Sequence, residues 1–143
     1  MLTSKPRGDR LSMLIVATKL LTSAATLVFA LGYAARRRSP FHHRRWMAAG
    51  LALALAAPLL VAVGEWTLDS HLRTGYWLID LLGSRDTAQW LTLGHRVFYG
   101  TALFLLGVQA VLGSLGHPAH RLLARIVIPL WLLTWVGAMF FYY

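Results

Sequence analysis

Four stretches of this chain are each long and apolar enough to cross a bilayer, and no other feature constrains its fold as strongly. A hydrocarbon core about 30 Å thick takes roughly 20 mostly apolar residues in a helix. Such runs occupy about residues 11–35, 46–66, 90–115 and 122–143. Backbone groups facing lipid must pair within their own segment, so the runs are predicted helices. The expected fold is therefore all-α: a single domain over residues 1–143, built as an integral membrane bundle of four transmembrane helices. Composition agrees, since only 13% of residues are charged where a soluble domain carries about a quarter. A cleaved signal peptide is the competing reading of the first run. Its length, the charge at Lys19 and the arginines that follow favour an integral helix.

The net charge is +9. In a soluble chain that balance would point to nucleic acid, but here the basic residues sit beside apolar runs. That placement suggests anionic headgroups and control of orientation, with no nucleic-acid partner. The sequence has no cysteine, so thiolate metal sites, iron–sulfur clusters and a cysteine nucleophile are excluded.

The connections are short except in the middle. "RRRSPFHHRR" (residues 36–45) joins the first two runs and "GSLGHPAHR" joins the last two, with Gly116 and Pro118 predicting a tight turn. The middle connection contains "YWLIDLL", too short to span, and its segment at about 75–83 is expected to lie in the interface. No internal repeat is visible. Arg36, Arg37, Arg38, Arg44 and Arg45 crowd one hairpin connection, and Arg121 lies in the other. By the positive-inside rule both hairpin connections are expected in the cytoplasm and both termini in the periplasm, although Lys5, Arg7 and Arg10 pull the other way. Trp46, Trp66, Trp77, Trp90, Tyr142 and Tyr143 fall where an aromatic belt would. Small residues recur at Thr18, Thr22, Thr26 and Ala30, at Ala48, Ala52 and Ala56, and at Gly100, Gly107 and Ser114. Each set marks a helix face suited to close packing, expected mainly within the bundle.

Two groups of residues could carry chemistry. Towards the end shared by the termini lie Lys19, Glu65, Asp69, His71, His95 and Arg96. An ionisable residue within a span needs a partner, and the expectation is a structural Lys19–Glu65 ion pair. A quinone, proton or metal site involving His95 and Glu65 is the alternative. At the opposite end His42 and His43 precede the second span, and His117 and His120 precede the fourth. Imidazole suits haem iron, copper and zinc, but five arginines nearby disfavour a cation. These histidines are expected in the headgroup layer, with His43 capping its helix or touching the other hairpin, and the arginines anchoring to lipid at about 1 kcal/mol each. Gln109 is the one amide within a span and is expected to find a partner on another helix. The sequence shows no phosphate-binding glycine loop, metalloprotease motif or nucleophile elbow, so no catalytic residue is assigned.

"HRRWM" (43–47), "RVFY" (96–99) and "HRLLARIVIPLWLLTWVGAMFFYY" (from 120) resemble the CtaM-type proteins, small four-helix bacterial membrane proteins linked to maturation of haem–copper terminal oxidases. The resemblance rests on His43, Arg44, Arg45 and Met47, on Arg96 and Tyr99, and on His120, Ala124, Arg125, Pro129 and Trp131, and covers about a third of the chain. It implies a bacterial inner-membrane protein. The family also carries histidines in or beside its second and third spans, where this chain offers Glu65, Leu105, Leu106 and Gln109. A metal or haem site of that kind would be missing here. The expected function is therefore non-catalytic: an accessory subunit or assembly factor, partnered by membrane lipids and a larger respiratory or other electron-transfer complex, with no metal and no cofactor expected. The alternative is an electron-transfer subunit that binds b-haem or quinone, with His43, His120, His95 and Glu65 as candidate cofactor residues.

Overall fold

The computed structural model describes residues 6–68 and 85–141, without the side chains of residues 6–11, 65, 67, 68, 85, 88, 89 and 141. The interfacial segment expected at 75–83, with Asp69, His71 and Asp80, lies outside the described residues. Four helices account for nearly all of the described chain: α1 (Pro6–Ala35), α2 (Pro40–Leu68), α3 (Arg85–Ser114) and α4 (Ala119–Phe141). Each contains a segment long and apolar enough to cross a membrane: Ser12–Ala35, Pro40–Gly64, Trp90–Ser114 and Ala119–Phe140. The protein is a multi-pass, all-α membrane protein.

Local sequence sets the turns. Ser39 caps α2 by accepting the His42 N–H on Oγ (3.3 Å), and Pro40 follows at the first helical position, where its missing N–H costs nothing. The first helical bond runs from His43 N–H to Ser39 O at 3.0 Å. Helix α2 therefore starts at Pro40, six residues before its apolar run, and the stretch 36–45 is mostly helix rather than loop. Helix α3 ends in a Schellman motif. Gly116 takes the left-handed conformation (φ 67°), His117 N–H bonds Leu112 O at 2.9 Å, and Gly116 N–H bonds Gly113 O at 3.3 Å. His117 then caps α4, its Nδ1 accepting the Ala119 N–H at 3.2 Å, with Pro118 between them.

The helices form two hairpins, α1–α2 and α3–α4, closed into a four-helix bundle by thinner seams between α1 and α4 and between α2 and α3. Helices α1 and α3, and α2 and α4, face each other across the diagonals. Large apolar side chains such as Leu20, Leu27, Leu59, Phe104 and Leu133 point outwards, while the interior holds Thr18, Thr22, Ala25, Ala54, Ala57, Ala102 and Val127. Bulk outside and small residues inside suit a lipid solvent, in which close packing rather than hydrophobic burial holds helices together.

The α1–α2 seam is the tightest. A Cβ on Gly50 would lie 2.6 Å from the Phe29 ring, one on Gly32 would lie 3.0 Å from Trp46 Cβ, and one on Gly64 would collide with Leu14. The α1 face is Thr18–Thr22–Thr26, as the spacing predicts, but Ala30, the fourth residue of that stripe, is exposed. The threonine hydroxyls donate to the carbonyls of Leu14 (2.9 Å), Thr18 (2.7 Å) and Thr22 (2.9 Å), so none of the three is stranded. The stripes expected on the other two helices do not pack within the bundle. Ala48 and Ala52 are exposed and Ala56 is only half-buried, and α2 instead buries Gly50, Ala54 and Ala57. Gly100 and Ser114 are exposed, and a Cβ on Gly100 or Gly107 would meet nothing within 4 Å. Helix α3 buries Ala102, Leu106 and Gln109 instead. Regular spacing marks a face; it does not say whether that face turns inwards or outwards.

Hydrogen bonds tie the two hairpins together. The Trp131 indole donates to Thr26 Oγ1 (3.0 Å) and the Trp135 indole to Ser23 Oγ (3.1 Å) across the α1–α4 seam. The Tyr99 hydroxyl donates to Ala54 O (2.9 Å) across the α2–α3 seam. Ala54 is the carbonyl that residue 58 would normally bond, and residue 58 is proline, with no N–H to give. Tyr99 supplies the missing donor.

Buried positions recur at a shift of 77 residues between the hairpins: Thr18 and His95, Ala25 and Ala102, Gly32 and Gln109, Gly50 and Val127, Ala54 and Trp131, Ala57 and Thr134. The two hairpins thus repeat one pattern of buried positions, a repeat that residue identities conceal.

Candidate functional site: two histidines facing across the bundle

The turn end of the bundle brings two candidate residues together. His43, in the first turn of α2, points its Nδ1 at Gly32 O, 2.7 Å away on α1. The usual helical donor to that carbonyl, the Arg36 N–H, turns instead to Tyr33 O. His120, in the first turn of α4, points its Nδ1 at Gln109 O, 2.9 Å away on α3. Both bonds reach back eleven residues, and the two histidines are themselves related by the 77-residue shift. Gly113 makes room for the second arrangement, because a Cβ there would lie 2.9 Å from the His120 ring. Each histidine is half-buried. Although they sit on diagonally opposed helices, their ring centroids are 6.5 Å apart with planes 73° apart.

A carbonyl oxygen only accepts, so each Nδ1 carries its proton. In the neutral ring Nε2 is then the lone-pair nitrogen. Neither Nε2 makes a hydrogen bond among the described residues. His42 and His117 do not join them: both are exposed, His42 Nδ1 pairs with Ser39 Oγ (2.7 Å), and His117 caps α4. Gln109 is 5% exposed and its Oε1 makes no hydrogen bond among the described residues.

The arginines at this end of the bundle face outwards. Arg36, Arg37, Arg38, Arg44, Arg45, Arg121 and Arg125 are exposed. The Arg36 guanidinium stacks 3.5 Å over the Tyr33 ring, and that of Arg45 lies 5.3 Å from the Phe41 ring centre. Helical geometry turns these residues outwards.

The other end is described in part. His95 is buried on α3, its ring 6.3 Å from that of Tyr99. Tyr99 continues to Trp131 at 5.9 Å and Trp131 to Phe29 at 5.4 Å, so aromatic rings run through the core from His95 towards the turn end. Arg96 is exposed and Lys19 is half-buried. The side chain of Glu65 lies outside the described residues, as do Asp69 and His71. Helix register bears on the expected Lys19–Glu65 pair. Leu14 packs on Gly64 and Phe29 on Gly50, which puts Glu65 about one and a half turns, or about 8 Å, nearer the open end than Lys19. Helical side chains lean towards their own N-terminus, so Lys19 leans in the direction of Glu65.

Sequence reasoning named His43, His120 and His95 but missed what positions the first two: the carbonyls of Gly32 and Gln109, and the space left by Gly113. The signal was the common eleven-residue interval. Comparison with family models, with curated proteins and with solved structures finds no match to this chain.

Proposed function

We propose that this chain is a non-catalytic accessory subunit or assembly factor, docked within the bilayer against a larger electron-transfer complex. One observation carries the reading: among the large apolar side chains turned outwards, α2 and α3 each leave a gap of small residues. Ala48 and Ala52 are exposed, and nothing stands within 4 Å of a Cβ placed on Gly100 or Gly107. In lipid such faces allow another helix to approach closely, and turns this short leave little chain for an independent active site. The short motifs shared with CtaM-type proteins point to the same class of complex. The arginine-rich turn end is assigned to the cytoplasm. In intact cells an Arg37→Cys variant is expected to resist an impermeant thiol reagent, and labelling without lysis would reverse that orientation.

Extraction in mild detergent followed by native separation tests the proposal. The chain is expected to migrate with a large, cofactor-bearing membrane complex. Ala52→Leu or Gly100→Leu should release it while the isolated protein remains folded. Migration alone, or association indifferent to both substitutions, would overturn the reading.

A further inference from the structure

We infer that His43 and His120 together hold one metal centre between their Nε2 atoms, where the two hairpins meet at the turn end of the bundle. The centre is of the kind that takes two opposed nitrogen ligands from protein: a cuprous ion, or the iron of a haem whose ring supplies the other four. The inference does not depend on membership of any complex.

Three observations converge. The first is spacing. Two imidazoles on opposite sides of one metal, each nitrogen about 2 Å from it, have ring centres about 6 Å apart; here the centres are 6.5 Å apart. The second is preparation of the ligands. A metal-binding histidine characteristically donates its other N–H to a carbonyl or carboxylate, which fixes the tautomer and aims the ring. His43 and His120 both do so, to Gly32 O at 2.7 Å and Gln109 O at 2.9 Å. Each half-buried ring thereby keeps a lone-pair nitrogen with no donor among the described residues, an arrangement that a Lewis acid between them relieves. The third is position. Ligand sites in repeat-built membrane proteins form where the repeats meet, and bundle cofactors are held by side chains on facing helices. His43 belongs to one hairpin and His120 to the other, on opposed helices α2 and α4.

The donor set narrows the choice of metal. No group of three or more His, Cys, Asp or Glu is assembled among the described residues, so a four-ligand structural zinc site does not fit. Met47, one turn after His43, lays its sulfur against Gly32 as well, 3.1 Å from where a Cβ would stand. A thioether beside imidazole suits monovalent copper. Haem iron takes its other four ligands from the porphyrin, so two axial rings complete its coordination.

The full chain, purified in detergent and stripped of metal, is titrated with Cu(I) against a chromophoric chelator and, separately, with haem followed by absorbance. One equivalent per chain is expected to bind in one of the two titrations. A site of two nitrogens, with or without one sulfur, by X-ray absorption identifies copper, and a low-spin six-coordinate spectrum identifies haem. His43→Gln and His120→Gln should each weaken binding by about 100-fold or more, while His42→Gln and His117→Gln leave it unchanged. To separate ligation from folding, His43→Gly and His120→Gly are titrated with added imidazole, which should restore binding. Absence of a one-equivalent site for either probe overturns the inference, as does binding that His43→Gln and His120→Gln leave intact.

Discussion

The two hairpins share a frame but fill it differently. Where α1–α2 places Thr18, Thr22, Gly50, Ala54 and Ala57, α3–α4 places His95, Tyr99, Val127, Trp131 and Thr134 at the equivalent positions. One hairpin supplies a close seam of small residues and the other supplies volume. Trp131 shows the consequence. It is 3% exposed, stacks edge-on with Phe29 and bonds Thr26, so the second hairpin's bulk is received by the first. At the turn end the symmetry holds instead, since both histidines face a carbonyl eleven residues back. A bundle core needs only a filled volume, which asymmetric pieces provide. A pair of opposed ligands needs matched geometry, and that is where the two hairpins agree.

Emptying the bulky side is expected to have the largest effect. Trp131→Ala removes the ring that bridges the hairpins and leaves a cavity, at a cost of about 3 kcal/mol. Reversible unfolding in mixed micelles measures it. The same measurement on Leu133→Ala, a residue turned to lipid on the same helix, should show a small fraction of that loss. Equal losses would mean that Trp131 is not a bridge.

Filling the small side comes next. Gly50→Val gives the first hairpin the residue its equivalent carries at Val127. Its Cβ would press into Phe29, and overpacking of this kind costs about 2 kcal/mol. Gly100→Val, with open space in front of it, should be neutral in the isolated protein. A tolerated Gly50→Val would show that the α1–α2 seam can open to the width of its counterpart.

The charge on the small-residue hairpin gives a third test. Lys19 and Glu65 are expected to pair, directly or through one water, since a lone charge in lipid is costly. Each of Lys19→Met and Glu65→Gln should destabilise by about 1–2 kcal/mol, and the double variant by less than either. A double variant less stable than both singles would remove the pair.

The all-α membrane fold was legible in the sequence because it follows from apolar length alone. Two runs pass directly into charged turns, and no soluble fold tolerates four such runs. The histidines were legible as residue types on one end of the bundle. Their convergence was not, because it depends on α2 beginning at Pro40 rather than at Trp46, which carries His43 into the helix and aims it inwards. The repeat was hidden for a related reason. Glycine opposite valine and alanine opposite tryptophan occupy equivalent places yet read as unrelated letters. The inward faces of α2 and α3 were misread because alanine and glycine at four- and seven-residue spacing serve an outward face in lipid as readily as an inward one.

The smallest expected effect concerns a repair across the seam between the unlike hairpins. Pro58 leaves Ala54 O without its helical donor, and the Tyr99 hydroxyl from α3 fills that place at 2.9 Å. Its counterpart on α1, Thr22, makes only an intrahelical bond, to Thr18 O. Tyr99→Phe keeps the ring against His95 and Trp131 but strands the carbonyl. Interhelical hydrogen bonds in membranes contribute about 0.6 kcal/mol on average, and a stranded buried carbonyl raises the expected loss to about 1 kcal/mol. The loss should depend on the proline. In a Pro58→Ala background residue 58 regains its N–H, the helix satisfies Ala54 O itself, and Tyr99→Phe should become nearly neutral. A loss of the same size in both backgrounds would mean that the hydroxyl does something other than complete α2. The comparison would then need a second polar role on the bulky hairpin.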